Sequence, residues 1–279
     1  MPTLTTTFAQ FVRAQAMPPF LVLRDLAVQL VKIVPETRDR SLFRRFWGED
    51  LPRTDVLFVA DSYENVRLRS SFRCAEALGI PERPEGLADD AIIAGSLCPQ
   101  AAAMLTTLFL SHSGKPVRIV SDAEPIPEKD AVAIYYGTPD TNFRTFEAEA
   151  RAGSNLCQFL SHPTSSERAF RIAGQIHSTE RHDGQLFDKA IVHRIRQSAA
   201  CAHVICAGLS EWGSLAAVHY LARNWRSLSR RFDRFQSLRD FCILLEVPHG
   251  QFEDAREIIS VTSWRSRPAL QHILESSNV

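Results

Sequence analysis

The residues best spaced to do chemistry lie in the turn Gly208 to Ser214, within the run HVICAGLSEWGSLAAVHYLARNWR that spans His203 to Arg226. An apolar stretch meets a glycine-bounded turn, then a helix-like run with apolar positions at Leu215, Ala216, Val218 and Leu221. A buried strand turning sharply into a helix is where α/β proteins place phosphates, nucleophiles and substrates. Three templates test the turn. A phosphate-binding P-loop needs a lysine after its second glycine, but Ser214 and Leu215 follow Gly213, so a γ-phosphate has no counter-charge. A dinucleotide fingerprint needs a middle glycine, which is missing. The Gly-x-Ser-x-Gly pattern of a nucleophile elbow fits at Gly208 and Ser210, with Trp212 at the position of its second glycine. In every case a helix start remains, whose backbone N–H groups and positive dipole end favour an anion. Ser210 and Ser214 add hydroxyls, and Glu211 adds a carboxylate.

Three further turns follow apolar strand-like runs. DVLFVA (55–60) leads into Asp61, Ser62 and Glu64; AIIAG (91–95) ends in Gly95 and Ser96; AVAIYYG (131–137) leads from Gly137 into Thr138, Asp140 and Asn142. In open α/β sheets, ligands bind at the carboxyl edge where such turns emerge. The predicted ligand-binding set is therefore Asp61, Ser62, Glu64, Gly95, Ser96, Gly137, Thr138, Asp140, Asn142, Gly208, Gly213 and Ser214. Among the carboxylates, Asp61, Glu64, Asp140 and Glu211 suit sugar hydroxyls or acid–base work. The competing role for any one of these residues is ordinary helix capping.

Over His203 to Ala222 the elbow resembles that of the α/β-hydrolases. The resemblance implies Ser210 as nucleophile, an acid further on (Asp233 or Asp240) and His249 as base. The candidate catalytic residues are thus Ser210, Glu211 and His249.

Composition narrows the partners. The 279 residues carry a formal net charge of +0, without the basic excess that phosphate neutralisation by a nucleic-acid binder needs. Only four basic residues are lysines (32, 115, 129 and 189), so lysine-based phosphate or nucleophile chemistry has few candidates. Arginine dominates, and its planar fork suits bidentate anion recognition. Two Arg/aromatic segments, SLFRRFW (41–47) and SLSRRF (227–232), read as solvated faces whose aromatics anchor to the core. The six cysteines form no C-x-x-C pair and several sit in apolar runs, as expected of a reducing cytoplasm. His177, His182 and His193 have no metal-ligand spacing, so no metal is predicted, and no cofactor is assigned. MPTLTTTFAQF lacks the features of a signal peptide, and Phe20 to Val34 is interrupted by Arg24, Asp25 and Lys32. The chain reads as cytoplasmic, with no membrane partner.

The elements that must position these residues alternate strand and helix from Asp55 onward. Helix-like runs are expected at 67–78, 101–111, 143–150 and from Gly213. Strands are expected at 55–60, 91–95, 116–120, 131–137, 190–195 and 203–208, with a closing pair at 241–247 and 256–264 that the PHGQFED turn leaves open to antiparallel pairing. Nearly continuous apolar strands predict a Rossmann-like, mostly parallel sheet with helices on both faces. Residues 51–279 form that domain. Residues 1–50 form an N-terminal helical appendage, whose stripe from Leu23 to Val34 packs on the domain or makes a homodimer face. The function expected is binding of a nucleotide or nucleotide-sugar-type ligand at the carboxyl edge, as a sensor or an N-glycosidic-bond-cleaving enzyme. A serine hydrolase and a non-catalytic scaffold are the alternatives.

Overall fold

The computed structural model describes residues 37–62, 97–127, 131–151, 156–161, 167–196, 201–233 and 239–264. The predicted strand at 91–95, the helices at 67–78 and before Val34, and the candidates Glu64, Gly95 and Ser96 lie outside them.

The buried apolar runs assemble one sheet. Its strands are β1 (Asp55–Ala60), β2 (Arg118–Ser121), β3 (Ala131–Tyr136), β8 (Gln185–Arg196), β9 (Ala202–Gly208), β10 (Arg239–Pro248) and β11 (Arg256–Trp264). They lie in the order β11-β10-β8-β9-β3-β1-β2, with short β7 (Glu180–His182) on β8 as the eighth strand. A separate antiparallel sheet holds β4 (Cys157–Ser161), β5 (Arg168–Ile172) and β6 (Gln175–Ser178).

The expectation of a Rossmann-like parallel sheet is corrected here. Among the described residues only the ladders β1–β2, β1–β3 and β3–β9 are parallel, while β7–β8, β8–β9, β8–β10 and β10–β11 are antiparallel. The sheet is mixed and mostly antiparallel. The physical reason is that β8 and β10 are buried on both faces, so their apolar runs look like central parallel strands whichever way they point. Among the described residues, helices do not cover the two faces alike. One face carries α1 (Thr37–Trp47), α2 (Cys98–Ser113) and α4 (Glu211–Phe232). The other carries the small sheet through Cys157, Phe170 and Ile172, and short α3 (Phe143–Arg151) through Ala148.

Strand alternation divides the core accordingly. Phe58, Ile134, Tyr136, Val204 and Phe241 face the three helices, while Leu57, Ala133, Tyr135, Ile205 and Leu244 face the small sheet. The Arg/aromatic segments behave as expected. Phe43, Phe46, Trp47 and Phe232 are buried, and Arg44, Arg45, Arg230 and Arg231 stay exposed. No described helix is long and apolar enough to cross a membrane.

What positions the site is the parallel quartet β2-β1-β3-β9. The chain passes from β1 to β2 on one side, then crosses to β3 on the other. The strand order therefore reverses between β1 and β3, and such a switch opens a crevice at the carboxyl ends of the strands.

Candidate functional site

A cleft of about 130 Å³ opens at that edge. Asp61 follows β1, Tyr136 ends β3, Gly137, Thr138 and Thr141 come from the turn after it, and Gly208, Ser210, Glu211 and Ser214 come from the β9–α4 turn. Cys98 opens α2, and Arg168 reaches in from β5. Seven predicted residues (Asp61, Gly137, Thr138, Gly208, Ser210, Glu211 and Ser214) thus share one wall.

Asp61 is the chemically distinctive member. Burial pushes its carboxyl up to about 8, with Asp122 and then Asp140 adding like-charge repulsion; Asn142 and Thr141 offset part of this. At neutral pH it is mostly a carboxylic acid. Its Oδ1 has no hydrogen-bond partner among the described residues. Tyr136, 6% exposed, likewise presents a buried hydroxyl without a partner, and burial raises its pKa. The Cys98 thiol is raised by burial and by Asp61 and Glu211, so it stays neutral and a weak nucleophile although it begins a helix.

The polar frame around Asp61 is built by residues outside the wall. Asn142 caps α3, its Oδ1 accepting the Thr145 N–H at 3.0 Å, and its amide donates to the Val59 and Tyr136 carbonyls at 3.1 and 3.0 Å. It therefore ties β1 to β3 and is fully buried. Ser62 is buried too, its N–H donating to Asp122 Oδ1 at 2.8 Å, while Asp122 Oδ2 accepts the Phe143 N–H at 2.7 Å. These two predicted ligand contacts are framework. Asp140 accepts the Thr138 hydroxyl and pairs with Arg168 Nε at 3.0 Å. Gly137 has φ +103°, and a Cβ there would meet Asp61 Oδ1 at 3.1 Å, so only glycine fits beside the acid.

The β9–α4 turn differs from its expected use. Asp188 of β8 sits under the start of α4, its Oδ2 accepting the Ser210 N–H at 3.1 Å and the Ser210 hydroxyl. Ser210 caps the helix by accepting the Gly213 N–H, and Ser214 Oγ accepts the Gly208 N–H at 3.0 Å. An internal carboxylate thus occupies the place an anion would take. Gly208 and Gly213 do not have positive φ; they are glycines because β9 and α4 touch there, and a Cβ on Gly208 would overlap the Gly213–Ser214 backbone. Gly213 packs on Asp188 and does not line the cleft.

The hydrolase constellation is not assembled. No histidine contacts the Ser210 hydroxyl among the described residues; its partners are Asp188 and Gly213. His249 stands beside Trp212, ring centroids 6.5 Å apart. Asp233 pairs with Arg194 at 2.6 Å, and Asp240 accepts the Arg196 N–H at 2.7 Å. Because β8 runs antiparallel to β9, with Arg196 opposite Ala202 and Ala190 opposite Gly208, both acids lie at the far end of the sheet from Ser210.

Sequence reasoning missed Tyr136, Cys98, Thr141, Arg168, Asp122 and Asp188 as parts of the site. Tyr136 was legible as the last residue before Gly137, and Cys98 and Thr141 sat beside residues already chosen. Arg168 and Asp188 come from strands whose pairing no local pattern reveals. Elsewhere, Glu180, His182 and Glu246 bring ligand atoms within 4.8 Å of one another, but Lys189 Nζ lies 3.0 and 2.7 Å from the two glutamates and supplies the cation.

Comparison of the chain with protein-family models, curated proteins and solved structures finds no match.

Proposed function

We propose that the cleft binds a nucleotide-type ligand by its sugar, and that Asp61 equips the site as the acid of an N-glycosidic-bond-cleaving enzyme. The observation that carries this reading is the Asp61 carboxyl itself: raised to about 8, its Oδ1 without a hydrogen-bond partner among the described residues, at the carboxyl edge of a parallel strand quartet. A neutral carboxylic acid donates a hydrogen bond or a proton at pH 7, as hydroxyl recognition and leaving-group protonation both require. Glu211, exposed at the same wall, supplies a second carboxyl for a sugar hydroxyl or for water. In hydrolysis the bond from the anomeric carbon to the base nitrogen breaks. The base takes the Asp61 proton, and water adds to the carbon and yields its proton to Glu211. Neither phosphoryl transfer nor acyl transfer finds comparable support: the turn has no lysine, and no imidazole of the described residues contacts Ser210.

The test is a panel of nucleosides and nucleotides scored for thermal stabilisation and for base release. Stabilisation by a ligand at a hundredfold excess over Kd is about 2.7 kcal/mol. Base release by the wild type, lost in Asp61→Asn, supports the enzyme. Stabilisation without release leaves a sensor, and no response to any member overturns the reading.

A further inference from the structure

We infer that Arg168 is the seat for the ligand's phosphate, which makes the cleft selective for phosphorylated nucleotides over nucleosides. The inference rests on the nucleotide reading of the cleft and adds to it where the anion goes.

The start of α4, the sequence's choice for an anion, is taken by Asp188, which accepts the Ser210 N–H and hydroxyl. A ligand phosphate there would lie against a buried carboxylate and find those donors engaged. Arg168 is the one cationic side chain in the cleft wall among the described residues. Asp140 holds its Nε at 3.0 Å, and Asp140 is held in turn by the Thr138 hydroxyl. The guanidinium is therefore anchored at one edge, while its terminal amino groups hold no hydrogen bond among the described residues. That is the preorganised half of a bidentate arginine–oxyanion contact, with the ordering cost of the side chain already met by Asp140.

Two further groups of the wall suit an anion, while the Glu211 carboxylate leaves Arg168 as the place for it. The Tyr136 hydroxyl and Asp61 Oδ1 are buried in the same wall, without a hydrogen-bond partner among the described residues. With its proton on, Asp61 adds no negative charge near the phosphate. The 16-residue helix α2 begins in the wall at Cys98, and Leu97 at its N-cap gives it no side-chain cap, so its positive end adds to the field. Arg168 belongs to the small sheet, which gives β4–β6 a role: it carries the anion seat to a cleft otherwise built from the large sheet, its turns and the starts of α2 and α4.

The experiment is calorimetric titration of wild type, Arg168→Met and Arg168→Lys with nucleoside monophosphates, the matching nucleosides and inorganic phosphate. Wild type should bind a monophosphate about tenfold to a hundredfold tighter than its nucleoside. In Arg168→Met that ratio should collapse towards one, and inorganic phosphate should no longer bind. Arg168→Lys keeps the charge but loses the fork, and should fall between. It also carries the test if the methionine variant melts below the assay temperature. A ratio near one in wild type, or a ratio that survives both substitutions, overturns the phosphate seat and leaves nucleoside recognition standing. Binding of neither nucleosides nor monophosphates overturns both.

Discussion

Asp188 and Ser210 form the joint between the antiparallel and parallel halves of the sheet. The Asp188 carboxylate accepts both the backbone N–H and the hydroxyl of Ser210, from a strand adjacent to the one that delivers the serine. Burial raises the Asp188 pKa, and the hydrogen bonds from Ser210, Lys189 and Gly213 oppose that rise. The serine is thereby a cap and a hydrogen-bond donor to a carboxylate, and among the described residues no imidazole is there to make its oxygen nucleophilic.

A fluorophosphonate probe should leave Ser210 unlabelled. Ser210→Ala should cost about 1–2 kcal/mol of stability, through loss of the cap and of a hydrogen bond to a charged group, measured by urea denaturation. Labelling that disappears in Ser210→Ala would reinstate the hydrolase.

Gly213→Ala should destabilise the protein by roughly 2–4 kcal/mol, because its Cβ would overlap Asp188 and lie 2.9 Å from Gly208 Cα. The cause is contact and not backbone conformation, so Asp188→Ala in the same chain should recover part of the loss. A double-mutant cycle reads this directly. Strict additivity would remove Asp188 as the obstacle.

Much of the site was legible in the sequence, and much of the fold was not, for related reasons. Small or polar residues after apolar runs mark strand ends whatever the topology, which is why Asp61, Gly137, Thr138, Ser210 and Glu211 could be grouped before any coordinates. Strand direction has no such mark when both faces are buried, so the antiparallel direction of β8 does not show in its own apolar run, whereas the closing pair β10 and β11 is antiparallel, as its turn allows. One clear signal went unread. Asp183-Gly184 is a two-residue hairpin turn, with φ of 49° and 81° at the two positions, and it reverses β7 into β8. Read as a turn, it puts β7 and β8 antiparallel and weakens the case for a parallel sheet. Ala173-Gly174 makes the same turn between β5 and β6, but an alanine at positive φ is not a recognisable cue.

The pH dependence of stability should report Asp61. Its pKa is raised on folding from 3.8 to about 8, so the folded state holds a proton that the unfolded chain releases. The stability this gives is fully present below about pH 4 and is lost as pH rises to about 8. Asp61→Asn should therefore be more stable than wild type near pH 8, by an amount on the order of a few kcal/mol, and the difference should shrink towards pH 4. Parallel stability curves for the two proteins would mean an ordinary Asp61.

Asp233 should prove structural. It holds Arg194, whose guanidinium packs on the Phe46 and Phe241 rings at 4.8 and 4.7 Å, and it accepts the Ser229 hydroxyl at 2.9 Å. Asp233→Ala takes the carboxylate from a buried arginine and should cost about 3–5 kcal/mol, seen as a lowered denaturation midpoint. Ligand affinity in the folded fraction should stay at the wild-type value, since the pair lies at the opposite end of the sheet from the cleft. Weakened affinity there would link the two ends.

The most direct measurement is a carbon-detected NMR titration of the Asp61 carboxyl, free and with a saturating nucleoside monophosphate. The free protein should show a carboxyl titrating near 8 that Asp61→Asn removes, and the ligand should displace that titration. A carboxyl titrating in the ordinary range near 4, and unmoved by any member of the nucleotide panel, would contradict the assignment of this cleft as the functional site.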